Sequence, residues 1–141
     1  MNPFFKTGLF GLSLASMILA SCSSVKTIKA DYDVAPSPLE VLETNQSAFL
    51  LKNGVSVYYP KGNEMMKRNA EFLASYVKEQ TGIDLKIQEG DDADNGILLK
   101  LGLEAENPEA YKLNIKNDKI VISSPTEAGV FYGIQTLRKS V

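Results

Sequence analysis

The sequence contains no histidine, no tryptophan and a single cysteine. Without histidine the chain has no imidazole base for a Ser-His or Cys-His pair and no histidine metal ligand. One cysteine forms neither a thiolate metal site nor an intrachain disulfide bond. A net charge of -2, with scattered lysines, does not provide the basic surface that nucleic acid requires. These absences exclude most catalytic templates, and we predict no cofactor, no metal site and no nucleic-acid partner.

The N-terminal segment is typical of an export signal. Lys6 supplies a positive charge, and residues 8–20, GLFGLSLASMILA, form an apolar run that is too short to span a bilayer comfortably. The run ends in Leu19-Ala20-Ser21-Cys22, which resembles a bacterial lipobox. We therefore predict a signal peptide over residues 1–21 and lipid attachment at Cys22, which would anchor the chain to a membrane. The alternative is an ordinary signal peptide with an incidental buried cysteine.

The predicted location is the cell envelope, in the periplasm or at the outer membrane, with the leaflet left open. After Cys22 the chain is polar, contains Pro36 and Pro38, and lacks a sustained hydrophobic period. This composition predicts a tether over residues 22–38 and one folded domain over residues 39–141.

Turn and helix signals predict a hairpin followed by a helix in the first half of that domain. Asn53-Gly54 lies between two strand-like runs in SAFLLKNGVSVYY, which predicts a β-hairpin. Apolar residues at helical spacing then follow Asn63, a predicted N-cap, and stop at Gly82, which accepts the left-handed conformation after a helix. These residues are Met65, Met66, Phe72, Leu73, Tyr76 and Val77.

Three further segments read as strands. IDLKI alternates strictly, which predicts a strand with Ile83, Leu85 and Ile87 facing inward. GILLKLG is almost continuously apolar and is typical of a more central strand. Residues 110–123 read as a second hairpin with Asn117-Asp118 at its turn.

The last element is a helix with a strong start signal. Ser124-Pro125-Thr126-Glu127 reads as a capping box with proline at the first helical position. Gly129 and Gly133 lie one turn apart, although glycine costs about 1 kcal/mol relative to alanine inside a helix. Two such glycines form a flat groove for a closely approaching backbone. We favour contact with the domain's own sheet and keep an interdomain contact as the alternative.

Other polar clusters carry no convincing site. EGDDADNG, residues 89–96, departs from a calcium loop because Ala93 and Gly102 occupy ligand positions, so a polar loop between strands is favoured. Four tyrosines could stack on sugar rings, but their strand and helix periodicity favours core positions. They are Tyr58, Tyr59, Tyr111 and Tyr132.

The C-terminal stretch carries a family resemblance. Residues 110–141, AYKLNIKNDKIVISSPTEAGVFYGIQTLRKSV, resemble the end of the N-terminal domain of bacterial glycoside hydrolase family 20 β-N-acetylhexosaminidases. In that family a strand pair leads into an A-G-x-F-Y-G-x-Q-T-L helix. The matching residues are Ala128, Gly129, Phe131, Tyr132, Gly133, Gln135, Thr136 and Leu137. Weaker likeness extends the resemblance to residues 45–141, and the lipobox is similar to that of Bacteroides-type enzymes.

The resemblance implies that the chemistry lies elsewhere. In the family this helix leads into a (β/α)8 barrel, in which the substrate's 2-acetamido oxygen attacks the anomeric carbon. An aspartate orients the acetamide there and an adjacent glutamate is the general acid/base. This sequence has no Asp-Glu dipeptide and no tryptophan. We therefore assign no catalytic residue and expect a chain that ends before the barrel and is inactive alone.

The sequence thus predicts an α+β domain, with a predominantly antiparallel or mixed sheet and two helices on one face. Its predicted function is that of the accessory N-terminal domain of a β-N-acetylhexosaminidase, which removes terminal N-acetylhexosamine from glycoconjugates. The predicted partner is the catalytic barrel, and Gly129, Gly133, Phe131 and Tyr132 are the candidate contact residues under the alternative of interdomain packing. The alternative is a stand-alone lipid-anchored module that binds a glycan or a protein through its exposed sheet face or the glycine groove.

Overall fold

The computed structural model describes residues 38–43, 47–116, 118–139 and 141. The predicted signal peptide, Cys22, nearly all of the tether and Asn117 lie outside the described residues. Within the described residues, five strands form one mixed sheet in the order β2-β1-β3-β5-β4, in which every pairing is parallel except the antiparallel pair β4 and β5. The strands are β1 Ser56–Tyr59, β2 Lys86–Glu89, β3 Gly96–Leu101, β4 Lys112–Ile115 and β5 Lys119–Ser124.

Two helices, α1 Glu64–Thr81 and α2 Glu127–Arg138, contact each other and pack on one face of the sheet, called here the helix face. The opposite face is the outer sheet face. One apolar core lies between the helices and the sheet. Its members are Val57, Tyr59, Met66, Ala70, Leu73, Val77, Ile97, Leu99, Ile120, Ile122, Val130, Ile134 and Leu137. The predicted α+β class, with a mixed sheet and two helices on one face, is confirmed.

Helix α1 has the predicted ends. The Asn63 side chain accepts a hydrogen bond from the Met66 amide at 3.0 Å, which satisfies one of the free donors of the first turn. Gly82 ends the helix at φ 74°, a conformation that disfavours any residue with a Cβ atom. Met66, Leu73 and Val77 enter the core, whereas Met65 stays 53% exposed.

The predicted hairpin at Asn53-Gly54 is wrong. No strand forms over the described residues 47–52, and β1 pairs in parallel with β2 and β3 instead. Gly54 does adopt a positive φ of 85°, but its amide donates to the carbonyl of Asp84 at 3.0 Å. The turn therefore leads the chain into a parallel pairing, because an Asn-Gly dipeptide marks a change of direction without specifying the partner strand.

The strand predicted over IDLKI begins later than expected. Ile83 and Leu85 pack against the core before the strand starts, as predicted, but all four residues of β2 are exposed. Ile87 is 37% exposed, so its predicted inward position is wrong. β2 is an edge strand, and alternation in the sequence does not reveal how far the helices extend over an edge.

The other two strand predictions are confirmed. GILLKLG forms β3, whose first four residues are buried and which lies in the middle of the sheet. β4, Lys112–Ile115, and β5, Lys119–Ser124, form the predicted antiparallel pair, and the Lys116 amide donates a hydrogen bond to the Lys119 carbonyl at 2.8 Å.

A short connection crosses the outer sheet face. β2 lies on the far side of β1 from β3, so residues 90–95 pass over β1 to join two parallel strands. A Cβ atom at Gly90 or Gly96 would lie 3.2 or 3.3 Å from the Tyr58 ring, which places both ends of the connection beside an outward-facing side chain. Parallel connections usually need a dozen or more residues and a helix. Residues 90–95, called here the crossing loop, join the two parallel strands with only six residues, and Ala93 within the loop is buried.

The capping box predicted at Ser124 is wrong. Ser124 is the last residue of β5, and its hydroxyl donates to the Ala110 carbonyl at 2.7 Å. Thr126 is the N-cap of α2, and its hydroxyl oxygen accepts from the Gly129 amide at 3.2 Å. Strand pairing continues through Ser124, which moves the helix start by two residues.

Replacing Thr126 by alanine should lower the free energy of unfolding by about 1–2 kcal/mol. The substitution removes the cap and also the donor to the Pro108 carbonyl, which lies 2.6 Å from the threonine hydroxyl. Urea unfolding measures the loss. Thr126→Ser keeps both hydrogen bonds and is the control, expected within about 0.5 kcal/mol of the parent. Equal losses in both variants would contradict this assignment of the cap.

Candidate interdomain surface

The outer surface of the two helices carries a cluster of aromatic rings. Phe72 on α1 and Phe131 on α2 have ring centroids 5.2 Å apart, and Phe131 lies 6.3 Å from Tyr132. These separations are typical of aromatic pairs, which gain about 0.5–1.5 kcal/mol beyond burial. Phe72 is nevertheless 36% exposed, so the ring pair joins the helices and also forms part of the surface.

Arg138 completes this surface from the last turn of α2. Its guanidinium carbon lies 4.0 Å from the ring centroid of Tyr76 and 5.2 Å from that of Phe72, within the range of cation–π attraction. One terminal nitrogen donates to the side-chain oxygen of Gln135, while the buried Nε has no hydrogen-bond partner among the described residues. We call Phe72, Tyr76, Phe131, Tyr132 and Arg138 the aromatic–arginine cluster.

Helical spacing explains why the cluster forms. Phe72 and Tyr76 are four residues apart on α1, and Phe131 and Arg138 are seven apart on α2, so each pair lies along one side of its helix. The sequence predicted Phe131 and Tyr132 as contact residues but missed Arg138. The periodicity of Phe72 and Tyr76 could have indicated an aromatic stripe, but pairing that stripe with an arginine requires knowing that α1 and α2 are neighbours.

The two glycines of α2 face the sheet. A Cβ atom at Gly129 would collide with the Ser124 hydroxyl and lie 2.7 Å from the Ala110 carbonyl oxygen. At Gly133 it would lie 2.5 Å from a methyl group of Ile122. The favoured interpretation, close contact with the domain's own sheet, is confirmed at both glycines. An interdomain contact at Phe131 and Tyr132 stays a prediction.

The N-termini of the two helices are tied together beside this surface. The Asn63 amide donates to the Glu127 carboxylate at 3.0 Å, and the buried Asn69 amide donates to the Glu127 backbone carbonyl at 2.9 Å. The hydrogen bond from Asn63 holds the pKa of Glu127 below its ordinary value. Asn63 therefore caps α1 and orients α2, which fixes the relative position of the two halves of the aromatic–arginine cluster.

The lowered pKa predicts an acid-sensitive contribution of Glu127. A carboxyl group whose pKa is lower in the folded state stabilises the fold above its unfolded pKa and loses that contribution as the pH falls through the folded pKa. Stability of the parent should therefore fall more steeply than that of Glu127→Gln from about pH 5 downward. Chemical unfolding at a series of pH values measures the difference. Parallel curves for the two proteins would contradict the role assigned to Asn63.

The remaining predicted positions are spread over the domain. Of the four tyrosines, Tyr59 is buried in the core and the others are half-buried, and the Tyr111 hydroxyl lies 2.7 Å from that of Thr136. In the acidic segment 89–96, Glu89 ends β2 and Gly96 begins β3. The residues between them form the crossing loop, as predicted for a loop between strands. Among the residues described, no group of three acidic, histidine or cysteine side chains is placed to hold a metal ion. None of the helices in this part of the chain could cross a bilayer.

The family follows from the extent of a sequence match. The family model for glycosyl hydrolase family 20, domain 2, matches residues 31–141. The chain belongs to this family. The match covers all seven elements of the fold and both halves of the aromatic–arginine cluster. No curated protein sequence matches the chain.

Solved structures share the fold of this family 20 domain. The β-N-acetylhexosaminidase of Streptomyces coelicolor A3(2) matches with a TM-score of 0.65 and 24% identity, over 81% of this chain and 21% of its own. The Streptomyces plicatus N-acetyl-β-hexosaminidase matches with a TM-score of 0.66 and 24% identity, over 75% and 20%. A third structure, CpGH84D, gives a TM-score of 0.59 and 19% identity over 77% and 21%. The family 20 chain spans about a fifth of the length of these proteins.

Proposed function

We propose that this domain is the accessory N-terminal domain of a β-N-acetylhexosaminidase. The family match over residues 31–141 carries this proposal, and the fold shared with two Streptomyces hexosaminidases supports it. The substrate is a terminal N-acetylhexosamine of a glycoconjugate. The reaction belongs to the (β/α)8 barrel, because the 141 residues contain no Asp-Glu dipeptide for the acetamide-orienting and acid/base roles.

The role of the domain is then to support the barrel through the aromatic–arginine cluster. The cluster contains the 36% exposed Phe72 ring, the Arg138 guanidinium held against two aromatic rings, and the Phe131–Tyr132 pair. Aromatic residues and arginine are the residue types enriched at the centres of protein interfaces. Hydrogen bonds at the helix N-termini hold this surface rigid, so little conformational entropy would be lost when it binds.

Two direct tests are the activity of the 141-residue chain by itself and the coding sequence that follows it. The purified 141-residue chain should not hydrolyse an aryl N-acetylglucosaminide above background. Sequencing the gene beyond the Val141 codon should find a frame that encodes a barrel with an Asp-Glu dipeptide and tryptophans. Hydrolysis by the 141-residue chain would overturn the assignment of the reaction to the barrel, and a downstream frame of another class would overturn the proposal itself.

Substitutions in the cluster should affect the enzyme more than the isolated domain. Phe72→Gln with Phe131→Gln should lower the free energy of unfolding of the barrel-containing enzyme by about 3–6 kcal/mol, because each buried aromatic side chain contributes about 1.5–3 kcal/mol. In the isolated chain, where no barrel covers the rings, the same pair should cost less free energy. Denaturant unfolding measures both losses. Ile87→Gln, at an exposed position on the β2 edge, is the control. Equal losses in both proteins would argue against docking here.

We also propose that the chain is a lipoprotein of the cell envelope, attached through Cys22. The apolar run before Cys22 and the polar segment after it support this proposal. Metabolic labelling with palmitate should modify the parent and leave Cys22→Ser unlabelled. A labelled Cys22→Ser protein, or an unlabelled parent in a cell that labels other lipoproteins, would contradict it.

A further inference from the structure

A group of lysines occupies the outer sheet face. On β3, β5 and β4, together with the residue that follows β4, nine side-chain positions point away from the helices. They form three rows, Lys100-Ser123-Lys112, Leu98-Val121-Asn114 and Gly96-Lys119-Lys116, and we call them the lysine grid. Four of the nine positions are lysine and none is acidic.

Strand geometry fixes the spacing of these charges. Lys100 and Lys112 lie on either side of Ser123, two strand spacings or about 10 Å apart. Lys116 and Lys119 lie opposite each other about 13 Å further down the strands. Like charges directly opposite in a sheet destabilise it, so this arrangement favours a negatively charged partner.

One of the four lysines is already paired. The Asp92 carboxylate in the crossing loop lies 3.3 Å from the Lys119 ammonium, and the Ala93 amide that donates to Asp92 lowers its pKa. No ion pair between described residues involves Lys100, Lys112 or Lys116, and these three side chains are exposed. The formal charge of the whole chain is -2, so the chain without the grid lysines would carry -6. The nine grid positions are therefore basic on an acidic protein, and the Asp92 carboxylate at their edge offsets part of that charge.

The side chains around these lysines help to decide between two kinds of polyanion, an anionic membrane surface and a hydrophilic polymer. Insertion of a protein surface into the headgroup region of a membrane uses large apolar side chains, whereas lysines alone attract an anionic membrane only electrostatically. The large apolar side chains that are exposed in the described part of the chain lie outside the grid. They are Leu39, Val41, Leu42, Leu50, Met65, Phe72 and Ile87. The grid instead places the Ser123 hydroxyl and the Asn114 amide among the lysines, and these groups suit a ligand rich in hydroxyl groups.

We propose that the lysine grid binds an anionic glycan, one that carries sulfate or uronic-acid carboxylate groups. The choice of a glycan over other hydrophilic polyanions rests on the proposed function. In that setting the grid holds the polyanionic part of a glycoconjugate while the barrel cleaves a terminal N-acetylhexosamine. Binding is electrostatic, so it weakens as the salt concentration rises.

Calorimetric titration of the full chain with a heparin-derived hexasaccharide at low salt tests the proposal. The parent should bind, and Lys100→Gln/Lys112→Gln/Lys116→Gln should bind at least tenfold more weakly with a smaller dependence on salt. The control removes the same charge elsewhere, by Lys61→Gln/Arg68→Gln/Lys139→Gln, and should stay within twofold of the parent. A neutral N-acetylglucosamine hexamer and phosphatidylglycerol vesicles complete the comparison: the hexamer should not bind to the parent measurably, and the vesicles should bind more weakly than the hexasaccharide.

Three outcomes would overturn the proposal. They are an absence of heparin binding by the parent, an equal loss in the two triple variants, and binding to vesicles in place of the oligosaccharide. None of these measurements uses hydrolysis. A failed binding test therefore leaves the accessory role intact, whereas a barrel of another class would remove that role without changing affinity for the anionic oligosaccharide.

Discussion

Gly129→Ala should destabilise the domain by about 3 kcal/mol, although alanine is the better helix former by about 1 kcal/mol. The added methyl group would meet the Ser124 hydroxyl and the Ala110 carbonyl oxygen, which are already hydrogen-bonded to each other. Either α2 moves away from β5 or this partly buried hydrogen bond breaks, and both changes cost free energy. The melting temperature should fall by more than about 10 °C.

Two comparisons separate this contact from helix propensity. Ser75→Gly at an exposed position in α1 measures propensity alone and should cost about 0.5 kcal/mol, since serine is itself a weaker helix former than alanine. Gly133→Ala should also destabilise, but by less than Gly129→Ala, because its closest contacts are side-chain atoms of Ile122 and Tyr111 rather than a backbone oxygen. A stabilising Gly129→Ala would mean that α2 is not held against β5 as described.

Leu99→Ala should lower the free energy of unfolding by about 2–5 kcal/mol. Leu99 is fully buried on β3, the middle strand of the sheet, so truncation removes apolar burial and leaves a cavity that rigid neighbours cannot fill. Denaturant unfolding measures the loss. Lys100→Ala changes the next residue on the opposite face and should stay within about 0.5 kcal/mol of the parent. A small loss at Leu99 would show that the core readjusts around the missing side chain.

The sequence predicted the elements whose signals are local. α1 was placed correctly at both ends because the Asn63 cap and the left-handed Gly82 act within one turn of the helix. β3 and the β4–β5 hairpin followed from continuous and alternating apolar patterns. These features require no knowledge of neighbouring elements.

Strand partners and element boundaries were predicted less well. Asn53-Gly54 indicated a hairpin, but β1 takes partners that come much later in the chain, with Val57 opposite Ile97. Ser124 matched a capping box, but pairing with Leu101 keeps it in β5. In both places a long-range pairing overrode a short-range signal.

Only two members of the aromatic–arginine cluster were predicted, because the others belong to it through contacts between elements that are far apart in the sequence. The family motif pointed to Phe131 and Tyr132 on α2, whereas Phe72, Tyr76 and Arg138 join them only because the two helices are adjacent. The lysine grid left no sequence signal, since its four charges come from three strands or their ends and align only through the register of the sheet.

The crossing loop and the order of the strands together determine the sequence in which the parts of this domain can assemble. Ser56 pairs with Lys86 and Val57 with Ile97, so β1 must wait for segments translated much later, whereas β4 and β5 pair as soon as both exist. Val130, Ile134 and Leu137 then close the core from the last helix. A partly folded chain in which α2 has not yet packed leaves apolar surface on β1, β3 and α1 without its cover, and such a state is prone to aggregate.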